Sequence, residues 1–313
     1  MRVIVAGLGV QGPKRRKSAG DDFVAYVDPF RAEADYKHIA DVPLENYDAV
    51  LACVPDEPKV ELLNYCVDNR KSVLVEKPLW VRGDADITAL QTKARANGVV
   101  VYTAYNHRFE PHFVRMRDLI ASGELGQIYC CRMFYGNGTA RLVRDSAWRD
   151  SGAGVLPDLG SHLLDTCRFW FGDVSEDFAL VSAHNFENKS PDHVVIAREA
   201  GLPRIELEMT MLMWKNHFTC DILAERGSAH IESLCKWDTT VFTHRTRVLP
   251  SGRPPEERIP LTQPDPTWDL EYAHFKNLVQ GGAVTDLATD LWLHRTLSRL
   301  GVDAIARTAG GQS

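Results

Sequence analysis

The chain has 313 residues, 44% of them apolar and 25% charged, with a formal net charge of −6. That balance excludes a disordered or collagen-like chain, and the length is enough for two domains. No apolar run reaches the ~18 residues of a membrane span, and no basic face of the kind a duplex binder needs is present, so neither membrane nor nucleic acid is an expected partner. The charge is uneven. Residues 1–120 hold 17 Lys+Arg and 17 Asp+Glu, and residues 121–313 carry the whole −6. The tetrad Lys14-Arg15-Arg16-Lys17 reads as a solvated helix face. Seven scattered cysteines without a C-x-x-C pair predict reduced thiols in a cytoplasmic protein. Met1-Arg2-Val3-Ile4-Val5-Ala6 runs straight into glycines, without a signal-peptide cleavage site.

In chain order, Val3–Ala6, Phe23–Val27, Ala49–Val54, Ser72–Val75 and Val99–Thr103 read as strands. Helical stretches Lys59–Asn69 and Asp84–Asn97 lie between them, the second bounded by Asp84 and Gly98. This alternation predicts a doubly wound parallel sheet over residues 1–120. Ser122-Gly123-Glu124-Leu125-Gly126 is a turn-rich joint. Beyond it, Ile128–Tyr135, Phe178–Phe186, Arg204–Trp214, His217–Ala224, Ala229–Ser233 and Thr239–Val248 are strand candidates, many alternating with period two. They predict an α+β domain over residues 121–313 with a large, mostly antiparallel open sheet. Helices are expected at Gly160–Phe171, Thr267–Gln280 and Thr285–Thr308, and Pro254-Pro255-Glu256-Glu257 reads as an exposed loop.

Three motifs carry chemistry. Gly7-Leu8-Gly9-Val10-Gln11-Gly12 is G-x-G-x-x-G directly after the first strand, and Asp28 ends the second. Glycines there allow a tight turn, close approach of a pyrophosphate and close helix packing, while the carboxylate accepts from ribose hydroxyls. Asp28 favours NAD over NADP; Arg15 and Arg16 are the residues that would favour a 2′-phosphate. Glu76-Lys77-Pro78 follows the fourth strand, and Asn106-His107-Arg108-Phe109 the fifth, at the carboxyl edge where open sheets bind ligands. In Asp158-Leu159-Gly160-Ser161-His162, a carboxylate and an imidazole four residues apart share one helix face and form a plausible proton-handling pair. No metal-ligand spacing appears among the eleven histidines and the cysteines, and no metal is expected.

Taken together with Cys53-Val54-Pro55-Asp56 at a strand end, the ordered motifs resemble the glucose–fructose oxidoreductase/inositol dehydrogenase/rhizopine catabolism (Gfo/Idh/MocA) family over essentially the whole chain. The resemblance implies a nicotinamide-dependent oxidoreductase with a Rossmann domain and a C-terminal domain for substrate and oligomer contacts, as a homodimer or homotetramer. It implies a catalytic set of Lys77, Asp158 and His162, often with a cis bond before Pro78. The implied cofactor contacts are Gly7, Gly9, Val10, Gln11, Gly12, Asp28, Cys53, Pro55, Glu76, Lys77 and Asn106. His107, Arg108, Arg144, Trp148 and Arg149 join the catalytic set as substrate contacts. Gly152-Ala153-Gly154 departs from the family's triple glycine, and Pro13 follows Gly12 at once.

The expected reaction is hydride transfer from a secondary ring hydroxyl of a sugar to NAD, with His162 or Lys77 as base and Asp158 orienting. Arg132, Arg141, Arg144, Arg149 and Arg168 fall in the acidic half, either as exposed loop charges or as a grip for an anionic group. The stretch from Tyr135 to Asp150 is similar to a subgroup acting on nucleotide-linked sugars, with C3 oxidation of UDP-N-acetylglucosamine as the specific expectation. The alternatives are dehydrogenation of a free sugar or inositol-like cyclitol, and a non-catalytic sensor of NAD and sugar.

Overall fold

Valine-rich runs form five strands, β1 (Val3–Ala6), β2 (Phe23–Val27), β3 (Ala49–Ala52), β4 (Ser72–Glu76) and β5 (Val101–Ala104), of which β1, β3 and β4 are buried on both faces. The computed structural model, which describes residues 1–147 and 149–310, orders them β2-β1-β3-β4-β5 with every pair parallel. One face of the sheet packs Leu63 and Val67 of α2 (Asp56–Asp68) and Ile87 and Leu90 of α3 (Asp84–Asn97). The other packs Ala19 of α1 (Gly12–Ala19) and Tyr272 and Phe275 of α7 (Thr267–Gln280). Strand order reverses between β1 and β3, so the loops leaving their carboxyl ends flank a topological switch point.

The second sheet has eight strands: β6 (Ile128–Gly136), β7 (Ala179–His184), β8 (His193–Arg198), β9 (Arg204–Thr210), β10 (His217–Ala224), β11 (Gly227–Glu232), β12 (Thr240–Thr246) and β13 (Glu256–Leu261). Their order is β13-β12-β11-β10-β6-β9-β8-β7, antiparallel throughout except for β6 against β9. Period-two burial is plain in β10, where Phe218, Cys220 and Ile222 are buried and Asp221 and Leu223 are exposed. Phe113 of α4 (Pro111–Ala121) lies 5.1 Å from the Phe218 ring, and Trp170 of α6 (Ser161–Phe171) donates to the Phe113 carbonyl at 3.0 Å. Two more helices complete the fold, α5 (Ala140–Arg144) and α8 (Ala288–Ala309). No helix among the described residues is long and apolar enough to cross a membrane.

The chain forms two compact units, residues 1–106 with 266–294, and residues 107–265 with 295–310 among those described. The sequence pattern put a single joint near residue 120. The first unit instead closes with a returning segment, because α7 packs on α1 and supplies Tyr272 and Phe275 to the parallel-sheet core. The sequence reading did not include α4, α5, β8 and β13. The expected loop at Pro254–Glu257 is corrected, because Glu256 and Glu257 already pair with Arg245 and His244. β13 is an edge strand, exposed over its first three residues, so it lacks the apolar alternation that marks a strand, and its edge position tolerates Pro260.

Candidate active site

The three motif glycines do three different things. Gly7 has φ of 97°, and a Cβ on it would strike the Cys53 carbonyl leaving β3. A Cβ on Gly12 would strike the Gly7 carbonyl, so this glycine lets α1 start against the loop. Gly9 meets nothing within 4 Å, which leaves open space over the loop. Val10 beside it is exposed, and Gln11 keeps a buried side-chain oxygen without a partner. Pro13 sits harmlessly in the first turn of α1. Asp28 accepts from the Leu8 amide at 2.7 Å, Phe30 at 2.9 Å and Arg31 at 3.1 Å. Burial alone would raise its carboxyl, but these amides outweigh burial and hold it below the usual carboxylate range. Burial pushes the Cys53 thiol up, so it stays protonated.

Glu76, Lys77 and Pro78 leave the end of β4, and the Lys77–Pro78 bond is cis. Arg15 is 1% exposed and bonds Glu76 Oε1 and Glu271 Oε2, each at 2.6 Å. The expected solvated tetrad is therefore wrong at Arg15. Its charge holds the β4 end to α7, and two carboxylates occupy it in place of a 2′-phosphate. Its guanidinium also lies 4.3 Å from the Trp268 ring centre, while Arg16 stands over Phe23. Lys59 of α2 bonds backbone carbonyls of the Lys77 turn. Pro55 immediately precedes α2, and Asn106 after β5 donates to Thr267 at 2.8 Å.

In the second unit, Asp158 lies in a π-type turn, Leu156–Gly160, that leads into α6. A Cβ on Gly160 would meet Met209 Sδ of β9 at 2.8 Å, so the glycine lets the turn settle on the sheet. His162, 8% exposed, stacks on His107 with ring centres 4.0 Å apart and planes 19° apart. Arg108 grips the fully buried Asp165 with two nitrogens, one at 2.9 Å. Arg108 thus ties the 107–109 segment to α6.

Lys236 joins this group without any signal in its local sequence, beside Tyr135 of β6. Lys236 Nζ lies 3.4 Å from His107 Nε2 and 3.2 Å from the Tyr135 hydroxyl. An ammonium only donates, so in this contact His107 Nε2 is on the accepting side. Burial opposes the Lys236 charge, but Tyr135, Glu110 and Asp265 outweigh burial and favour the ammonium. Glu110, Cys235 and Asp265 also bring three potential metal-ligand atoms within 4.8 Å of one another, a grouping that spacing along the chain conceals. Lys236 supplies positive charge to both carboxylates of that group.

The arginines of the acidic half do not form one group. Arg132 pairs with Glu206 at 3.2 Å and Arg168 with Asp173 at 3.0 Å. Arg141 and Arg144 are exposed on α5, with Arg144 donating to the Glu187 carbonyl at 3.4 Å, and Arg149 is half-buried. Trp148 lies outside the described residues.

Two family models match the chain: an oxidoreductase family with an NAD-binding Rossmann fold over residues 3–105, and the GFO/IDH/MocA C-terminal domain over residues 113–230. The chain belongs to the Gfo/Idh/MocA oxidoreductase family. Among relatives of this oxidoreductase, inositol 2-dehydrogenase 2 of Mycolicibacterium vanbaalenii is 25% identical over 263 residues, 74% of this chain and 72% of the relative. Mouse trans-1,2-dihydrobenzene-1,2-diol dehydrogenase is 28% identical over 45% of this chain and 41% of its own. A solved levoglucosan dehydrogenase, in complex with NADH and L-sorbose, shares the fold with a TM-score of 0.81, at 18% identity over 98% of this chain and 97% of that one.

NAD is the family cofactor, and the residues present fit it. The open space over Gly9 and the unpartnered Gln11 oxygen lie where α1 begins, and an α-helix N-terminus offers free amides to phosphate. Asp28 presents a carboxylate at the β2 end, where ribose hydroxyls are read.

Proposed function

We propose that this oxidoreductase removes hydrogen from a secondary hydroxyl of a sugar or cyclitol ring, with the unit of residues 1–106 and 266–294 serving the dinucleotide and the unit of residues 107–265 and 295–310 the substrate. The observation that carries this reading is the buried His162 imidazole, stacked on His107 and following Asp158, in a chain that also holds a dinucleotide cradle. NAD supplies the hydride acceptor when bound. Imidazole is the side chain suited to proton transfer near neutral pH, and His162 is assigned the hydroxyl proton. Asp158 orients the hydroxyl or the ring. Lys77 holds the same oxygen and stabilises charge developing on it. Gly7, Gly9, Val10, Gln11, Gly12, Asp28, Cys53, Pro55 and Asn106 are assigned to the cofactor, and His107 to the substrate. Glu76 and Arg108 support these groups through Arg15 and Asp165.

A ring polyol is favoured by the dehydrogenase relatives, which include an inositol 2-dehydrogenase. A nucleotide-linked sugar oxidised at C3, such as UDP-N-acetylglucosamine, is the second reading, supported by Arg144 and Arg149, which no carboxylate among the described residues is shown to engage. NADH formation at 340 nm with myo-inositol, free hexoses and UDP-N-acetylglucosamine tests both. Turnover only on the nucleotide sugar rejects the polyol reading, and turnover on none rejects both.

Exposed Tyr129, Val181 and Leu223 on strands of the large sheet support a homodimer or homotetramer, which light scattering would measure. Seven free cysteines support a cytoplasmic location.

A further inference from the structure

The Glu76-Lys77-Pro78 turn carries the side chain assigned to the reacting oxygen, and its backbone carbonyls are also held from outside the turn. The donor lies one helix earlier. Lys59, in the first turns of α2, is 2% exposed. An ammonium has three N–H donors, and here each has an acceptor: Asp56 Oδ1 at 2.6 Å, the Pro78 carbonyl at 2.9 Å and the Glu76 carbonyl at 3.3 Å. The two carbonyls stand on either side of Lys77. The Pro78 oxygen also accepts from the Trp80 amide at 2.8 Å, which closes the turn.

A lysine is almost never this buried without full pairing, because desolvating the ammonium is costly. The other buried side chains of α2 are Leu63, Cys66 and Val67, all apolar and facing the sheet core. Lys59 is the one charge on that buried stripe, and two of its three bonds go to the turn.

We propose that Lys59 is a positioning residue for Lys77. It fixes the carbonyl before Lys77 and the carbonyl after it, which sets the direction in which the Lys77 side chain leaves the turn. A planar guanidinium sends its donors out in one plane and reproduces this three-way grip only in part. A methionine fills the space and leaves the carbonyls without their donor. The proposal rests on the reading of Lys77 as the group that holds the reacting oxygen.

The test compares Lys59→Met, Lys59→Arg and Lys77→Met in the full chain, using whichever sugar or cyclitol supports turnover. Misplacing a reacting group by about 1 Å costs up to about 100-fold, so Lys59→Met should lose about 10- to 100-fold in kcat. Its NADH affinity, read by fluorescence, should stay within about twofold, and Lys59→Arg should recover part of the loss, because the dinucleotide cradle is untouched while the grip is half restored. Should Lys59→Met not fold, Lys59→Gln keeps two N–H donors without the charge and is judged by the same readings. Normal kcat in the Lys59 variant beside a Lys77→Met variant without turnover would overturn the positioning role and leave Lys77 in place. Equal losses in kcat and NADH affinity would also overturn it, since they mark a general loss of structure. Normal turnover in Lys77→Met would remove the reading on which the proposal stands.

Discussion

Two turns carry the groups assigned to the reacting hydroxyl, and they are held by opposite means. Glu76-Lys77-Pro78 is held by charge. Arg15 binds the Glu76 side chain and Lys59 binds the carbonyls around Lys77, both from almost fully buried positions. The Leu156–Gly160 turn is held by shape. Gly160 rests on Met209, Leu156 is fully buried, and the following His162 stacks flat on another ring. The difference follows from where each turn sits. A turn leaving the end of a parallel strand has carbonyls that the sheet no longer serves, so it needs donors. A turn entering a helix has its carbonyls taken up by the amides of the helix and needs room against the sheet. The first should therefore be sensitive to charge and the second to volume.

The sharpest way to break this contrast is Arg15→Met. It removes the cation that Glu76 and the fully buried Glu271 share, and breaking a buried pair this way costs about 3–5 kcal/mol. Urea unfolding measures it, and a loss under about 1 kcal/mol would show that charge does not hold the first turn. Next comes Lys77→Met. Removing one donor to a developing oxyanion costs about 10²–10³ in kcat, and thermal stability should change little because the side chain is half-buried. Gly160→Ala adds no charge but places a methyl against Met209 Sδ, and overpacking of this kind costs about 1–3 kcal/mol, read as a lowered melting temperature. An unchanged melting temperature would remove volume as the constraint on the second turn.

The smallest effect is expected at Asp28, outside both turns. Its folded carboxyl is held below its unfolded value of about 3.9. Its contribution to stability is therefore present above that value and is lost as pH falls through the folded pKa. Asp28→Asn should be less stable than the parent at neutral pH, with the two stabilities drawing together in acid. A constant gap across that range would show that the three amides do not depress the carboxyl.

Much of this was legible in the chain. The parallel sheet was readable from valine runs bounded by turns, because a strand buried on both faces leaves few other choices. Gly7, Gly9, Gly12 and Asp28 were readable because the dinucleotide loop is local. Lys59 and Arg15 were not. Helical periodicity places a charged residue in solvent unless its partners are known. Glu271 lies 256 residues from Arg15, and Lys236 lies 129 residues from His107. No periodicity spans such separations. Strand β13 escaped for the converse reason, since an exposed edge strand has no buried face to print a pattern.

By itself, the sequence determined the two kinds of sheet, the glycine loop and the Asp158–His162 spacing. Each of these depends on backbone geometry over a few residues. Only the tertiary structure decided which charges are buried and what they meet. It took Arg15 out of solvent and gave the Lys77 turn its anchor in Lys59. It also paired Arg132 and Arg168 with carboxylates and left Arg141 and Arg144 exposed on α5. The physical reason is that burying a charge requires partners, and partners are brought together by the fold and not by their order in the chain.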